Sequence, residues 1–132
     1  MMKKPTILIV DDEKNFTDSF SEFLSDRFNA KVLVRKNAID AMEVLDQEKV
    51  DVLFQDMFMP GLPGGKVIEH IKNRRRINQM IVFIISKWNG DVQTLRFENY
   101  DVKYIPKPIG LITTQKVLTE EFEAKGGFDY KK

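Results

Sequence analysis

The chain has 132 residues, a formal net charge of +1 at pH 7, 42% hydrophobic and 31% charged residues, and no cysteine. This composition is typical of one globular domain, and the small charge gives no general attraction to nucleic acid or to a membrane surface. The lack of cysteine excludes disulfides, thiolate metal ligands and cysteine nucleophiles. The apolar run after Lys3 and Lys4 is too short and too soon acidic for a signal peptide or a membrane span, so we predict a cytoplasmic protein.

The apolar pattern predicts strands that alternate with helices. Strands are expected at residues 7–10, 31–34, 50–55, 80–85 and 103–106, and the third and fourth are apolar enough to be buried on both faces. Phe16, Phe20, Phe23 and Leu24 are spaced to form one face of a first helix. A second helix is expected after the N-cap Asn37 and a third around Val67, Ile68 and Ile71. Two more helices are expected at residues 91–100 and 111–124. The order βαβαβαβαβα indicates an α/β fold, a doubly wound parallel sheet with helices on both faces. Pro106 places the fifth strand at a sheet edge.

Reactive side chains follow four of these strands directly. Asp11 and Asp12 follow the first strand, Asp56 the third, Ser86 the fourth and Lys107 the fifth. Ligands of an open α/β sheet bind outside the carboxyl ends of its strands, so we expect these side chains to converge on one site. The three aspartates repel one another unless a cation such as Mg²⁺, which takes carboxylate oxygens, lies among them. Asp56 is then a candidate nucleophile toward a phosphoryl group, with Lys107 and Ser86 holding phosphoryl oxygens.

Each of these features also has a structural explanation of its own. Asp11 and Asp12 could cap the first helix, Ser86 could be an ordinary loop serine, and Tyr104 could be a half-buried residue of an edge strand. The functional interpretation depends on the combination of all the side chains in this order, because an acidic pair after a strand is common.

In these residues the chain resembles the receiver domain of bacterial two-component response regulators, over residues 5 to 122. The segment Asp56-Met57-Phe58-Met59-Pro60-Gly61 is similar to the family's phosphoacceptor loop, and Lys107-Pro108 to its lysine followed by proline. The resemblance implies a flavodoxin-like sheet of five strands in the order 2-1-3-4-5. It also implies a cis peptide bond between Lys107 and Pro108, a conformation that is essentially confined to proline.

The resemblance further implies the roles of individual residues. Asp56 is expected to accept a phosphoryl group from a sensor histidine kinase or a phosphotransfer protein, with catalytic help from Ser86 and Lys107. Mg²⁺ is expected to bind Asp12, Asp56 and the backbone carbonyl of Phe58 directly and Asp11 through water. Ser86 and Tyr104 match the family's switch hydroxyl and switch aromatic residue.

The resemblance also sets expectations for the whole chain. Residues 5–124 are expected to form the receiver domain, and residues 125–132 a C-terminal tail or the start of a linker. Partners are expected to be the phosphodonor, an unknown output domain or protein, and a second copy in a phosphorylation-dependent homodimer. We expect a signalling domain that catalyses only its own phosphorylation and dephosphorylation, with no contact to membranes and none to nucleic acid.

Three positions depart from the family pattern. Lys87 stands where the residue after the switch hydroxyl is usually small, Trp88 follows it, and Phe58 lies two residues after Asp56. We expect these bulky side chains to surround the mouth of the site and to limit the access of donors and water to Asp56.

Proteins of other classes share some of these features. A phosphatase of the haloacid-dehalogenase type carries an Asp-x-Asp nucleophile motif after its first strand, whereas this chain has the adjacent pair Asp11-Asp12. A flavodoxin needs a hydroxyl-rich loop there, and this acidic segment would repel a flavin phosphate. A receiver fold kept only for binding is the third alternative; the intact set of Asp12, Asp56, Ser86 and Lys107 is evidence against it, and Lys87 mildly favours it.

Overall fold

The structure, a computed structural model, describes residues 3–74, 76–87 and 102–130. The strands in these ranges are β1 (Thr6–Val10), β2 (Lys31–Arg35), β3 (Val52–Asp56), β4 (Ile81–Ser86) and β5 (Val102–Pro106). The helices are α1 (Lys14–Phe28), α2 (Ala38–Gln47), α3 (Gly65–Asn73) and α4 (Leu111–Lys125), and a short 3₁₀ helix, Ile77–Gln79, precedes β4. The helix predicted at residues 91–100 lies outside the described residues.

The five strands pair in parallel in the order β2-β1-β3-β4-β5. This confirms the predicted sheet, its strand order and the position of Pro106 on an edge strand. The predicted third strand was placed slightly too early, since β3 begins at Val52 and includes Asp56, which is in register with Ile85 of β4. Asp56 is therefore held by strand pairing and is not part of a loop.

Helices cover both faces of the sheet, as predicted. Helices α1 and α4 bury Phe20, Leu24, Leu118 and Phe122 against one face, where Phe54 and Phe83 stack with ring centres 4.6 Å apart. Helices α2 and α3 pack their apolar residues against the other face. Fully burying one such side chain contributes about 1.5–3 kcal/mol, so the two layers fix the sheet firmly. Within the described ranges, no helix has both the length and the apolar character needed to cross a membrane.

Helix α2 is fixed at both of its ends. The side chain of Asn37 accepts a hydrogen bond of 2.8 Å from the backbone N–H of Asp40, which confirms the predicted N-cap. At the other end, the guanidinium of Arg76 donates to the backbone carbonyls of Leu45 and Glu48. Arg76 thereby satisfies carbonyl groups that have no partner within the helix.

The two ends of the described chain meet beside the amino ends of the strands. Lys3 and Phe128 form a parallel β-bridge, in which the N–H of Lys3 donates to the carbonyl of Gly127 at 2.9 Å and the N–H of Asp129 donates to the carbonyl of Lys3 at 2.8 Å. The rings of Phe128 and Tyr130 both lie 5.1 Å from the ring of Phe122 in α4. Phe128 and Tyr130 therefore pack against α4.

Candidate functional site

The carboxyl ends of β1 and β3 bring three aspartates together. The pairing of Val10 with Gln55 places the ends of the two strands side by side. Asp11, Asp12 and Asp56 each offer a carboxylate oxygen, and these oxygens lie within 4.8 Å of one another. Asp11 and Asp56 are buried, whereas Asp12 is exposed. The structure therefore assembles the acidic cluster that the strand ends predict.

Lys107 enters the same cluster from the segment after β5. Its ammonium nitrogen lies 2.5 Å from Oδ2 of Asp11 and 3.7 Å from Oδ2 of Asp56, and it lies 4.9 Å from the ring centre of Phe16. The peptide bond between Lys107 and Pro108 is cis, as predicted. Burial by itself lowers the pKa of Lys107, but its contacts with Asp11 and Asp56 outweigh burial and raise that pKa above its ordinary value. The ammonium therefore stays charged at neutral pH.

The carboxylate of Asp56 is weakly compensated for a buried charge. Within residues 3–74, 76–87 and 102–130, its Oδ1 accepts one hydrogen bond, from the N–H of Phe58 at 3.2 Å, and the nearest ammonium is that of Lys107 at 3.7 Å. Burial, and next the negative charge of Asp11, raise the pKa of Asp56 to about 6. A buried carboxylate with so few partners has much to gain from a cation or from a covalent modification.

The backbone at Asp56 is held in place from two sides. The side chain of Gln55 donates a hydrogen bond of 2.8 Å to the carbonyl of Asp56. Gly64 lies against the same carbonyl so closely that a Cβ atom there would be 2.0 Å from the oxygen. The loop between β3 and α3 therefore requires glycine at this position, and the end of β3 has little freedom to shift.

The donor atoms of the cluster fit a hard divalent cation. Oδ1 of Asp11 accepts from the N–H of Glu13 at 2.9 Å, whereas Oδ2 is buried and receives no well-directed hydrogen bond within the described ranges. The ion pair with Lys107 meets only part of the charge that Asp11 and Asp56 carry together. Cations such as Mg²⁺ take carboxylate oxygens together with water, and the exposed position of Asp12 leaves room for both.

An open cleft of about 440 Å³ lies over the cluster and is lined by Asp12, Glu13, Asp56, Phe58, Lys87 and Lys107. The side chain of Phe58 is 55% exposed, and the ammonium of Lys87 lies 2.7 Å from Oε1 of Glu13. Trp88, the third bulky residue predicted at the mouth, lies outside the described residues.

Glu13 is a residue of the site that the sequence analysis did not single out. Its carboxylate contacts both Lys87 and Lys107, and the hydrogen bond with Lys87 lowers the pKa of Glu13 most strongly. The only sequence feature that points to it is its position directly after the acidic pair.

Ser86 and Tyr104 lie beside the cluster. Ser86 is the buried last residue of β4, and its carbonyl accepts from the N–H of Lys107 at 2.9 Å. The hydroxyl of Tyr104 lies 3.5 Å from the same carbonyl, and its side chain is partly exposed. The strand end that carries Ser86 is thus linked both to Lys107 and to an aromatic residue at the surface.

Comparisons with known proteins agree with this geometry. A family model described as "Response regulator receiver domain" matches residues 7–119. A "Probable cyclic di-GMP phosphodiesterase" of Vibrio cholerae is 32% identical over 107 residues, which are 80% of this chain and 24% of that protein. The "Regulator of RpoS" of Escherichia coli is 31% identical over 101 residues, which are 76% of this chain and 30% of that protein.

Solved structures are similar over nearly the whole chain. The signal receiver domain of a DNA binding response regulator protein from Colwellia psychrerythraea is 26% identical, with a TM-score of 0.79 over 91% of this chain and 99% of that one. The chain spans less than a third of the length of the two curated relatives, so the likeness to them concerns one domain. The chain belongs to the response regulator receiver domain family, whose members are the phosphorylatable domains of two-component signalling.

Proposed function

We propose that Asp56 is the phosphoacceptor of this receiver domain and that it takes its phosphoryl group from a sensor histidine kinase or a phosphotransfer protein. The observation that carries the proposal is the position of Asp56, which lines the open cleft with the ammonium of Lys107 3.7 Å from its Oδ2. A carboxylate oxygen of Asp56 attacks phosphorus, the bond between phosphorus and the donor breaks, and an acyl phosphate forms.

Charge compensation is the main task of the surrounding residues. Lys107 holds one phosphoryl oxygen through its ammonium, and the hydroxyl of Ser86 donates a hydrogen bond to another. Mg²⁺ would be held by Asp12, Asp56 and the backbone carbonyl of Phe58, with Asp11 bound through water, and would neutralise charge on the phosphoryl group. The raised pKa of Asp56, about 6, still leaves the carboxylate ionised and nucleophilic at neutral pH.

The proposed output is a change at the surface of β5 and α4. When the hydroxyl of Ser86 moves toward the phosphoryl group, space opens for the ring of Tyr104 to turn inward. The partly exposed ring of Tyr104 and its contact with the carbonyl of Ser86 support this coupling. An output domain, an output protein or a second copy of the chain would read the change, so we regard residues 5–124 as a signalling domain and not as a metabolic enzyme.

Bulky side chains at the mouth are proposed to control the lifetime of the phosphoryl group. The exposed side chain of Phe58 and that of Lys87 line the cleft over Asp56, and Trp88 follows Lys87 in the sequence. An attacking water must approach phosphorus opposite Asp56. Shielding that raises the barrier by about 1.4 kcal/mol slows hydrolysis roughly tenfold.

The test is intact-mass measurement after incubation with Mg²⁺ and acetyl phosphate. Wild type is expected to gain one phosphoryl group and Asp56→Asn none. Asp51→Asn is the matched control, because Asp51 and Asp56 are equally buried and Asp51 lies at the other end of the sheet. After the donor is removed, Phe58→Asn is expected to lose its phosphoryl group faster than wild type.

Two results would contradict the proposal. Equal labelling of wild type and Asp56→Asn would move the acceptor to another residue. If neither acetyl phosphate nor a cognate kinase labels the wild type, the domain is a receiver fold that is used only for binding.

A further inference from the structure

One carboxylate oxygen joins two ammonium groups at the mouth of the cleft. Oε1 of Glu13 lies 2.7 Å from the ammonium nitrogen of Lys87 and 3.3 Å from that of Lys107. Lys107 in turn lies 3.7 Å from Oδ2 of Asp56. Lys87 is therefore connected to the candidate phosphoacceptor through a short chain of charged contacts.

The two lysines differ in how firmly they are held. The side chain of Lys107 is 5% exposed and is enclosed by Asp11, Asp56 and Phe16. The side chain of Lys87 is 71% exposed, and Glu13, with which it pairs, is 43% exposed. Exposed ion pairs contribute little to stability because water screens both charges, so Lys87 can leave Glu13 at small cost.

A phosphoryl group on Asp56 would compete with Glu13 for this ammonium. Phosphate carries more negative charge than one carboxylate and offers three strong acceptor oxygens. The ammonium of lysine is a compact charge with three donors on a flexible stem, which suits an exchange between neighbouring anions. Lys87 and Asp56 both line the cleft, so the exchange takes place within one open space.

We propose that Lys87 is a second phosphate-binding cation of this site, paired with Glu13 in the unmodified protein and transferred to a phosphoryl oxygen when Asp56 is phosphorylated. This inference rests on the proposed function, since the anion that attracts Lys87 is the one bound at Asp56. No covalent bond changes in the exchange. Glu13 acts as the competing anion that holds Lys87 at the mouth until Asp56 is phosphorylated.

The experiment measures the affinity for beryllofluoride, a phosphoryl mimic, by calorimetry at saturating Mg²⁺. Lys87→Met is expected to raise the Kd about tenfold, and Lys87→Arg, which keeps the charge, to stay within about threefold of wild type. Lys31→Met is the matched control, because Lys31 also pairs with an exposed glutamate, Glu48, but lies at the amino end of the sheet. The control is expected to stay within about twofold of wild type.

Replacement of Glu13 is expected to change the Kd for beryllofluoride in the direction opposite to Lys87→Met. Glu13→Gln frees Lys87 from its competing anion and is expected to lower the Kd about threefold. This gain must disappear in the double variant Glu13→Gln/Lys87→Met, because the two residues act through one contact. A gain that persists without Lys87 would show only the loss of a negative charge and would contradict the exchange.

The outcomes separate this inference from the function on which it rests. Binding to wild type but not to Asp56→Asn, with equal affinities of Lys87→Met and Lys31→Met, overturns the role of Lys87 alone. Failure of wild type to bind beryllofluoride overturns the proposed function and the role of Lys87 with it. A Kd that is raised in Lys87→Met and close to the wild-type value in Lys87→Arg supports both the proposed function and the role of Lys87.

Discussion

Two aspartates at opposite ends of β3 are buried to the same degree but differ in how well their carboxylates are supplied with partners. Asp51 directly precedes the strand and Asp56 ends it, and each is 4% exposed. Asp51 has a partner on each oxygen, the ammonium of Lys3 at 2.7 Å on Oδ1 and the N–H of Thr6 at 2.9 Å on Oδ2. Among the described residues, Asp56 has one hydrogen bond of 3.2 Å, a more distant ammonium, and two neighbouring carboxylates.

The difference is between a carboxylate whose oxygens both have partners in the protein and a carboxylate whose charge is only partly compensated. A buried carboxylate with a full set of partners ties chain segments together, because removing it leaves those partners unsatisfied. A buried carboxylate with an incomplete set of partners costs stability, and the same shortage of partners favours its interaction with a cation or a phosphoryl group. In this domain Asp51, at the amino end of the sheet, has the full set of partners, and Asp56, at the carboxyl end, has the incomplete one.

The largest expected effect is on the free energy of unfolding, which the same Asp→Asn substitution should change in opposite directions at the two positions. Asp51→Asn should lower the free energy of unfolding by about 2–3 kcal/mol, because it breaks the ion pair with Lys3. Asp56→Asn should raise it by about 1–2 kcal/mol at about pH 7.5, after allowance for solvent screening in the open cleft. Urea denaturation with a metal chelator present measures both, and changes of the same sign would contradict the comparison.

The stabilisation by Asp56→Asn should depend on pH. The folded pKa of Asp56, about 6, lies above its ordinary value of 3.8, so the folded state binds this proton more tightly than the unfolded state. The resulting stability is fully present below the ordinary value and is lost as the pH rises through about 6. The variant should therefore exceed wild type by about 1–2 kcal/mol at about pH 7.5 and by little at about pH 4.5. If the variant and wild type differ in free energy of unfolding by the same amount at both pH values, the stabilisation has a cause other than the ionisation of Asp56.

The smallest expected effect is stabilisation by the metal. At a few times its Kd, Mg²⁺ should raise the free energy of unfolding of wild type by about 1 kcal/mol, because only the folded state assembles the three aspartates. Asp51→Asn should keep this gain, whereas Asp12→Asn should lose most of it. Melting curves with and without Mg²⁺ provide the measurement, and an equal gain in Asp12→Asn would argue against a site at this cluster.

The strands and the acidic cluster could be predicted because they depend on local patterns. β3 and β4 are apolar runs buried on both faces, and parallel strands bring their carboxyl ends to one edge. The convergence of Asp11, Asp12, Asp56 and Lys107 follows from those strand ends. The strand order came with the family resemblance, since periodicity does not say which strands are neighbours.

Contacts made by long side chains could not be predicted in the same way. The bridge from Glu13 to Lys87 and Lys107 depends on side-chain rotamers at three separate strand ends. The capping of α2 joins Arg76 to Leu45 and Glu48, which are far from it in the sequence, and the spacing of apolar residues does not indicate this contact. The close approach of Gly64 to the carbonyl of Asp56 requires the path of the whole loop, and Pro63-Gly64-Gly65 in the sequence indicates only a turn.

The bridge between Lys3 and Phe128 has a mechanical consequence. Because the two segments run in parallel, a force that pulls the chain ends apart acts along both segments in opposite directions. The two hydrogen bonds, from Lys3 to Gly127 and from Asp129 to Lys3, are then loaded in shear together and cannot open one after the other. Tension applied at Lys3 and Phe128 is therefore expected to load the amino end of the sheet before it reaches the cleft over Asp56 at the opposite end.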